Sequence, residues 1–312
     1  MTAATTPTAP TVRTEGAPRP GPGPKPGWRA RLGRALPYLL LAPGLAWLLL
    51  FYILPAVQMF TYSVSTGTLE TGFTMSLTLD AYAEALARFG NQFQNSILYG
   101  GLTTILTLLI GFPVAYTIAF RGGRYKNLIL FLVIAPFFTS FLIRTISWKI
   151  LLGDEGPLLG PLKHTFGVLP GSFSVLSTPV AQVAGLTYNF LPFMILPLYV
   201  ALEKIDIRLL EAAGDLYANR FHAFRRVTLP LALPGVFAGS LLTFIPAMGD
   251  YINAELLGNP STRMIGNVIQ NRLLIQNDYP VGSALSFILM AGILVAVTVY
   301  AKALGTEQLT GG

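Results

Sequence analysis

Long apolar blocks alternate with short polar segments along this chain, and six of the blocks are long enough to cross a bilayer. A helix rising 1.5 Å per residue needs about 20 residues to span a hydrocarbon core of roughly 30 Å. The stretches Tyr38–Tyr62, Ser96–Phe120, Leu128–Leu152, Val180–Leu202, Leu231–Ile252 and Val281–Leu304 meet that length, and each predicts a transmembrane helix. Several contain proline, among them Pro136, Pro192, Pro197, Pro234 and Pro246. Membrane helices tolerate such breaks where neighbouring helices or a water-lined cavity satisfy the freed backbone groups. The pattern predicts an all-α membrane protein of about six spans. Residues 1–35 are expected to be a disordered basic tail, 36–305 the membrane domain and 306–312 a short C-terminal tail. The first apolar run exceeds the roughly 7–15 residues of a signal peptide and ends in no small-x-small cleavage site, so it reads as a retained helix.

Composition sharpens this picture. Of 312 residues, 53% are hydrophobic and 11% charged, against about 25% charged in ordinary soluble domains. That composition also argues against wholesale disorder. Cysteine is absent, which excludes disulfides, thiolate metal sites and a cysteine nucleophile. The net charge of +7 invites a nucleic-acid reading. In a membrane chain, however, the placement of Lys and Arg carries the information, and no nucleic-acid partner is expected. Fifteen basic residues fall on one side of the spans, five on the other, and Arg144 lies within a span. The positive-inside rule therefore places both termini in the cytoplasm.

The most informative polar segment is the loop 203–230 between the fourth and fifth spans. It reads LEKIDIRLLEAAGDLYANRFHAFRRVTLPLALPG from Leu202. Ile205, Leu209, Ala212, Ala213 and Leu216 can share one helical face. Asp206 is placed to cap a first helix, and Asn219 to cap a second, shorter one ending at Arg225 and Arg226. Two short helices in such a loop make a rigid projection that a soluble partner could grip.

This loop resembles the EAA loop of binding-protein-dependent ABC importer permeases: EAA, three residues, Gly, nine residues, Ile, one residue, Leu-Pro. Glu211, Ala212 and Ala213, then Val227, Leu229 and Pro230, stand in matching register. Asp215 and Asn219 lie within the same motif. The family's Gly falls on Tyr217, a departure at a turn where positive φ favours Gly. From Leu36 to Leu304 the chain is similar to the spermidine/putrescine subgroup, carried by PFFTSFLIRTISWKILLGDEGPL, YNFLPFMILPLYVALEKID, LLTFIPAMGDYINAELLG and MIGNVIQNR. The resemblance implies the type I importer permease architecture in a bacterial cytoplasmic membrane. It also implies a separate ATPase in two copies that binds ATP-Mg and docks on the loop, a second permease, and an extracytoplasmic substrate-binding protein. The implied cargo is a polyamine or a related small organic solute. Opines, other organic cations or inorganic ions remain alternatives, as does a secondary transporter.

The chain carries no chemistry of its own that competes with this reading. No G-x-x-x-x-G-K-[ST] occurs, so no P-loop cradles ATP here. His164 and His222, the only histidines, lie in different loops, so no metal site or catalytic triad is expected. No cofactor is expected on this chain, and it is read as non-catalytic. Two ionisable residues within spans, Arg144 and Asp250, are functional candidates because such groups are costly in lipid. On straight helices they stand roughly 25 Å and roughly 29 Å above the start of their spans, near the outer mouth. Asp250 and Glu255 are candidates to receive a cation there. Tyr188, Asn189 and Tyr251 could add hydrogen bonds and cation–π contacts. The alternative is that Asp250 simply pairs with Arg144.

Overall fold

The computed structural model describes residues 40–161, 163, 170, 172–215 and 219–304. The tails expected at 1–35 and 306–312, and Tyr217, lie outside the described residues. Helix α1 is Leu40–Ser63. A hairpin of β1 (Ser65–Thr68) and β2 (Gly72–Met75) follows, paired antiparallel with Thr66 opposite Thr74. Next come α2 (Asp80–Arg121), α3 (Gly123–Phe138), α4 (Phe141–Leu151), α5 (Pro179–Glu203) and α6 (Ile207–Asp215). The chain ends with α7 (Phe221–Met248), α8 (Ile252–Leu257), α9 (Ile265–Gln270) and α10 (Tyr279–Leu304). Among the described residues, five helices are long and apolar enough to cross a membrane, or six if α3 and α4 count as one bent span. The chain divides into two compact units at Ala56 and Val57. All packing described below lies within the second.

The core of that unit is three long helices, α2, α5 and α7, joined through Ile118, Met194, Leu198, Leu202, Ala232 and Val236. Between membrane helices there is no hydrophobic driving force, so close approach through small residues supplies the packing. A Cβ added at Gly235 would stand 2.5 Å from the Ala201 Cβ and 2.8 Å from the Pro197 carbonyl oxygen. One at Gly239 would stand 2.8 Å from the Met194 Sδ. These glycines let α7 lie directly against the backbone of α5.

Two of the expected spans take a different form. Helix α2 runs 42 residues, about 63 Å at 1.5 Å per residue, twice what the bilayer requires. Its first turns carry Asp80, Glu84, Arg88 and Asn91 and bury only Ala81 and Ala85, against Ile265, Val268, Val281 and Leu285. A kink at Phe89, where φ is −115° and ψ 17°, separates this projecting piece from the span. Arg272 locks it down: Nη1 donates to Asp278 Oδ2 at 2.7 Å, Nη2 lies 3.9 Å from Glu84 Oε1, and the guanidinium sits over Phe89.

The expected straight helix Leu128–Leu152 is instead two helices bent by 93°. Thr139 and Ser140 are extended between them, with the Thr139 hydroxyl donating to the Pro136 carbonyl at 2.7 Å. Pro136 has no N–H to continue the helical ladder, and the chain turns at the first polar pair beyond it. A height of Arg144 reckoned along one straight span therefore does not hold. Helix α4 turns Arg144 and Thr145 inward and leaves Leu142, Ile143, Ile146 and Ile150 exposed.

At the opposite end of the bundle from α8 and α9, Lys126 of α3 forms an ion pair with Glu203, the last residue of α5. Arg121, Lys204, Arg225 and Arg226 lie at this same end by the ranges of their helices.

Gly235→Ala is expected to lower the melting temperature of the detergent-purified protein, because an extra methyl in a tight contact costs about 1–3 kcal/mol. Gly101→Ala, where the added Cβ meets nothing within 4 Å, is the matched control and should leave it unchanged. Thermal unfolding followed by size-exclusion chromatography reads both.

Candidate functional site

The loop between α5 and α7 is built from two capped turns. The Asp206 carboxylate accepts from the Arg208 N–H at 3.0 Å, and α6 begins there. Asn219 Oδ1 accepts from the His222 N–H at 2.8 Å and starts the next helix. That second helix does not stop at Arg225 and Arg226, as its sequence suggested. It passes through a π-helical turn, Phe224–Thr228, directly into the membrane span. The physical reason is Pro230, which lacks an N–H and whose ring would clash with the carbonyl four residues back. Widening the turn, with the Leu229 N–H reaching the Phe224 carbonyl, absorbs that conflict without ending the helix. The projection is therefore one free helix, α6, and one rigid extension of α7.

Glu211, Ala212 and Asp215 of α6 are exposed, as are Asn219 and Pro230, whereas Ala213, Val227 and Leu229 are half-buried. Beside α6 lies a groove of about 550 Å³ lined by Pro197, Val200, Lys204, Leu209, Leu231 and Pro234. Of the expected apolar face, Ile205 is buried in the core, whereas Leu209 stays 48% exposed among the described residues.

The far end of α7 carries a second polar constellation. Asp250 lies two residues beyond Met248 and is buried; its Oδ1 accepts from the Asn253 N–H at 2.7 Å and so caps α8. Asn189 is also buried, donating from Nδ2 to Thr145 Oγ1 at 3.1 Å and to Asn253 Oδ1 at 3.2 Å. Gly185 permits this meeting, since a Cβ there would stand 2.9 Å from Asn253 Oδ1. Asp250 and Arg144 form no ion pair. Arg144 is buried with Nε and Nη1 unpartnered, its guanidinium over the Phe137 ring at 5.2 Å and the Phe141 ring at 5.6 Å. Its contacts thus bridge the α3–α4 corner.

Three of the expected residues remain accessible. Tyr188 is 36% exposed and packs edge-on against Trp148, Tyr251 is 42% exposed, and Glu255 is exposed. Asn267 touches two of these neighbours: its Nδ2 donates to the Tyr251 carbonyl at 3.0 Å and to Glu255 Oε2 at 3.3 Å. Asp154 is held elsewhere, by the Lys163 ammonium at 2.8 Å, which keeps its carboxyl below the usual range. Thr145, Asn253 and Asn267 were missed by sequence reasoning. The spacings Asp250-x-x-Asn253 and Met264-x-x-Asn267 were the available signal, since an acceptor or amide three residues apart is capping geometry.

Comparison with known proteins agrees with this architecture. The chain is 40% identical over 259 residues to the spermidine/putrescine transport system permease protein PotB of Haemophilus influenzae, covering 83% of this chain and 90% of the relative. The Escherichia coli protein of the same name is 36% identical over 258 residues, covering 82% of this chain and 94% of the relative. In fold, the chain is similar to a chain of a bacterial alginate ABC transporter solved with an alginate-bound periplasmic protein. That match has a TM-score of 0.74 at 18% identity, over 92% of this chain and 100% of that one. Residues 95–304 match the family described as binding-protein-dependent transport system inner membrane component, and the chain belongs to that family.

Proposed function

We propose that this chain is the membrane subunit of an ATP-driven importer of polyamines such as spermidine and putrescine. The observation that carries the proposal is the 40% identity to a spermidine/putrescine permease, sustained over 83% of the chain and therefore through the helices that would line a path. The chain contributes no catalysis. A separate ATPase, in two copies, binds ATP-Mg; a second permease completes the pathway; and an extracytoplasmic binding protein delivers the cargo.

In this reading α6 is the element that the ATPase grips. Glu211, Ala212, Asp215 and Asn219 present a polar and small-residue surface, while Val227, Leu229 and Pro230 tie it to α7. Because α7 is continuous through its π-helical turn, a push on the loop reaches the far end of the span without a hinge between. Both termini and this loop face the cytoplasm, supported by the clustering of basic residues at one end of the bundle. On the substrate side, Tyr188, Tyr251 and Glu255 lie along the path. Asp250, Asn189 and Arg144 act from behind it, as a helix cap, a buried link and a corner brace.

Co-expression with its ATPase, second permease and binding protein should give ATP-dependent spermidine uptake, and a complex that moves no polyamine refutes the proposal. Glu211→Arg should abolish co-purification of the ATPase while leaving the chain inserted. A change at an exposed site costs the fold no more than about 0.5 kcal/mol, so normal co-purification removes Glu211 from the docking surface. The absence of cysteine makes orientation directly readable. A single cysteine at Ala212 should react with an impermeant maleimide only in inverted vesicles, and one at Thr71 only in intact cells. Asp250→Asn keeps a capping acceptor and should leave uptake unchanged; a lost rate would place Asp250 on the path.

A further inference from the structure

Between the end of α7, α9 and α10 lies a second groove, of about 590 Å³, a volume ordinary for small-molecule sites. Its walls are Ile245, Ile269, Leu273, Leu289 and Met290, and Tyr251 stands at its edge. One helical turn along α8 from Tyr251 is Glu255, whose N–H donates to the Tyr251 carbonyl at 2.9 Å. Asn267 stands behind both. It is 4% exposed and every polar atom is engaged: Oδ1 accepts from the Met264 N–H at 3.1 Å, and Nδ2 reaches both the Tyr251 carbonyl and Glu255 Oε2. A buried amide spent on orienting an exposed carboxylate is costly for a residue that does nothing but sit in solvent.

Four other carboxylates at this end are already engaged. Glu84 faces Arg88 and Arg272, Asp154 faces Lys163, and Asp278 faces Arg272. Asp250 is buried and turned onto the backbone of α8. The partner of Glu255 is a neutral amide, which fixes the carboxylate without cancelling its charge. An ammonium can therefore pair with it, and the adjacent tyrosine ring offers a cation–π face. The same Tyr251 forms the edge of the apolar groove, so an alkyl chain leaving that ammonium past the ring enters it. The combination of one fixed anion, one aromatic face and an apolar trough matches an alkylammonium and mismatches a metal ion or an anion.

We propose that Glu255 and Tyr251 receive a terminal ammonium of the cargo, that the Ile245–Ile269–Leu289 groove holds its methylene chain, and that Asn267 is the positioning residue that fixes Glu255. This inference rests on the polyamine reading above.

The test uses the complete complex in proteoliposomes, supplied with saturating spermidine-loaded binding protein. Glu255→Gln should lower spermidine uptake about tenfold, the loss of one charge-assisted contact. ATP hydrolysis stimulated by the loaded binding protein should meanwhile stay at the level of the unaltered complex. Asn267→Ser retains a capping acceptor and should lower uptake by a smaller factor. In the Glu255→Gln background it should lower uptake no further, because its effect runs through that carboxylate. If Asn267→Ser loses activity equally in both backgrounds, it is a structural brace and the positioning role falls. Full-rate uptake by Glu255→Gln, in a complex whose unaltered form takes up spermidine, overturns the site alone. No uptake by the unaltered complex overturns the polyamine reading, and the site with it.

Discussion

The contact on which the second unit depends is the approach of α5 and α7 through Gly235 and Gly239. Lipid offers helices no hydrophobic gain on association, so their cohesion comes from dispersion, hydrogen bonds and the shapes of their surfaces. At these glycines a side chain would overlap the opposing backbone, and the two helices close to direct contact. Helix α2 completes the triad through Ala115, Ile118 and Gly111, the last facing Met194 and Ile195. Everything functional is attached to the two ends of this rigid group. At one end α5 gives way to α6, and at the other α7 gives way to α8.

Prolines are the second organising feature, and each finds a different local solution. Pro230 is absorbed by a π-helical turn, so the span continues into the loop. Pro136 is followed by an extended pair and a right-angled turn, so the span is interrupted. Pro192 and Pro197 stay within α5, where Pro192 is buried and the Pro197 carbonyl faces Gly235. The same residue type thus gives continuity, a corner or a tolerated break. What decides is whether packing or a neighbouring hydroxyl can take up the freed groups. For force transmission the distinction is consequential: α7 is an unbroken lever, and α3–α4 is a bent strut with Arg144 at its corner.

Buried polar groups at the end bearing α8 divide the labour of that region. Thr145, Asn189 and Asn253 tie α4, α5 and α8 together, and Asp250 begins α8. Asn267 does the equivalent task for α9 while also steering Glu255. These hydrogen bonds fix the short helices against one another, which is what turns them into a defined surface.

Much of this was legible in the sequence. The six apolar blocks, their helical character, the loop between α5 and α7 and its caps at Asp206 and Asn219 all follow from local rules: span length, amphipathic spacing and side-chain capping. The family followed from a motif whose spacing is likewise local. The β-hairpin, the 16-residue polar extension of α2 before Ser96 and the continuity of α7 escaped notice, because amphipathic turns outside lipid lack the apolar run that marks a span. The bend after Pro136, the inward turn of Arg144 and the burial of Asp250 were beyond sequence altogether. An acidic residue at a span's end reads the same whether it faces a path or caps a helix. The Asp250-x-x-Asn253 cap is local, but only the tertiary structure, by burying Asp250 and bringing Asn267 to Glu255, decided which carboxylate was consumed and which was left exposed. Local geometry is written into neighbouring residues, whereas the burial and pairing of a charge depend on elements far apart in the chain.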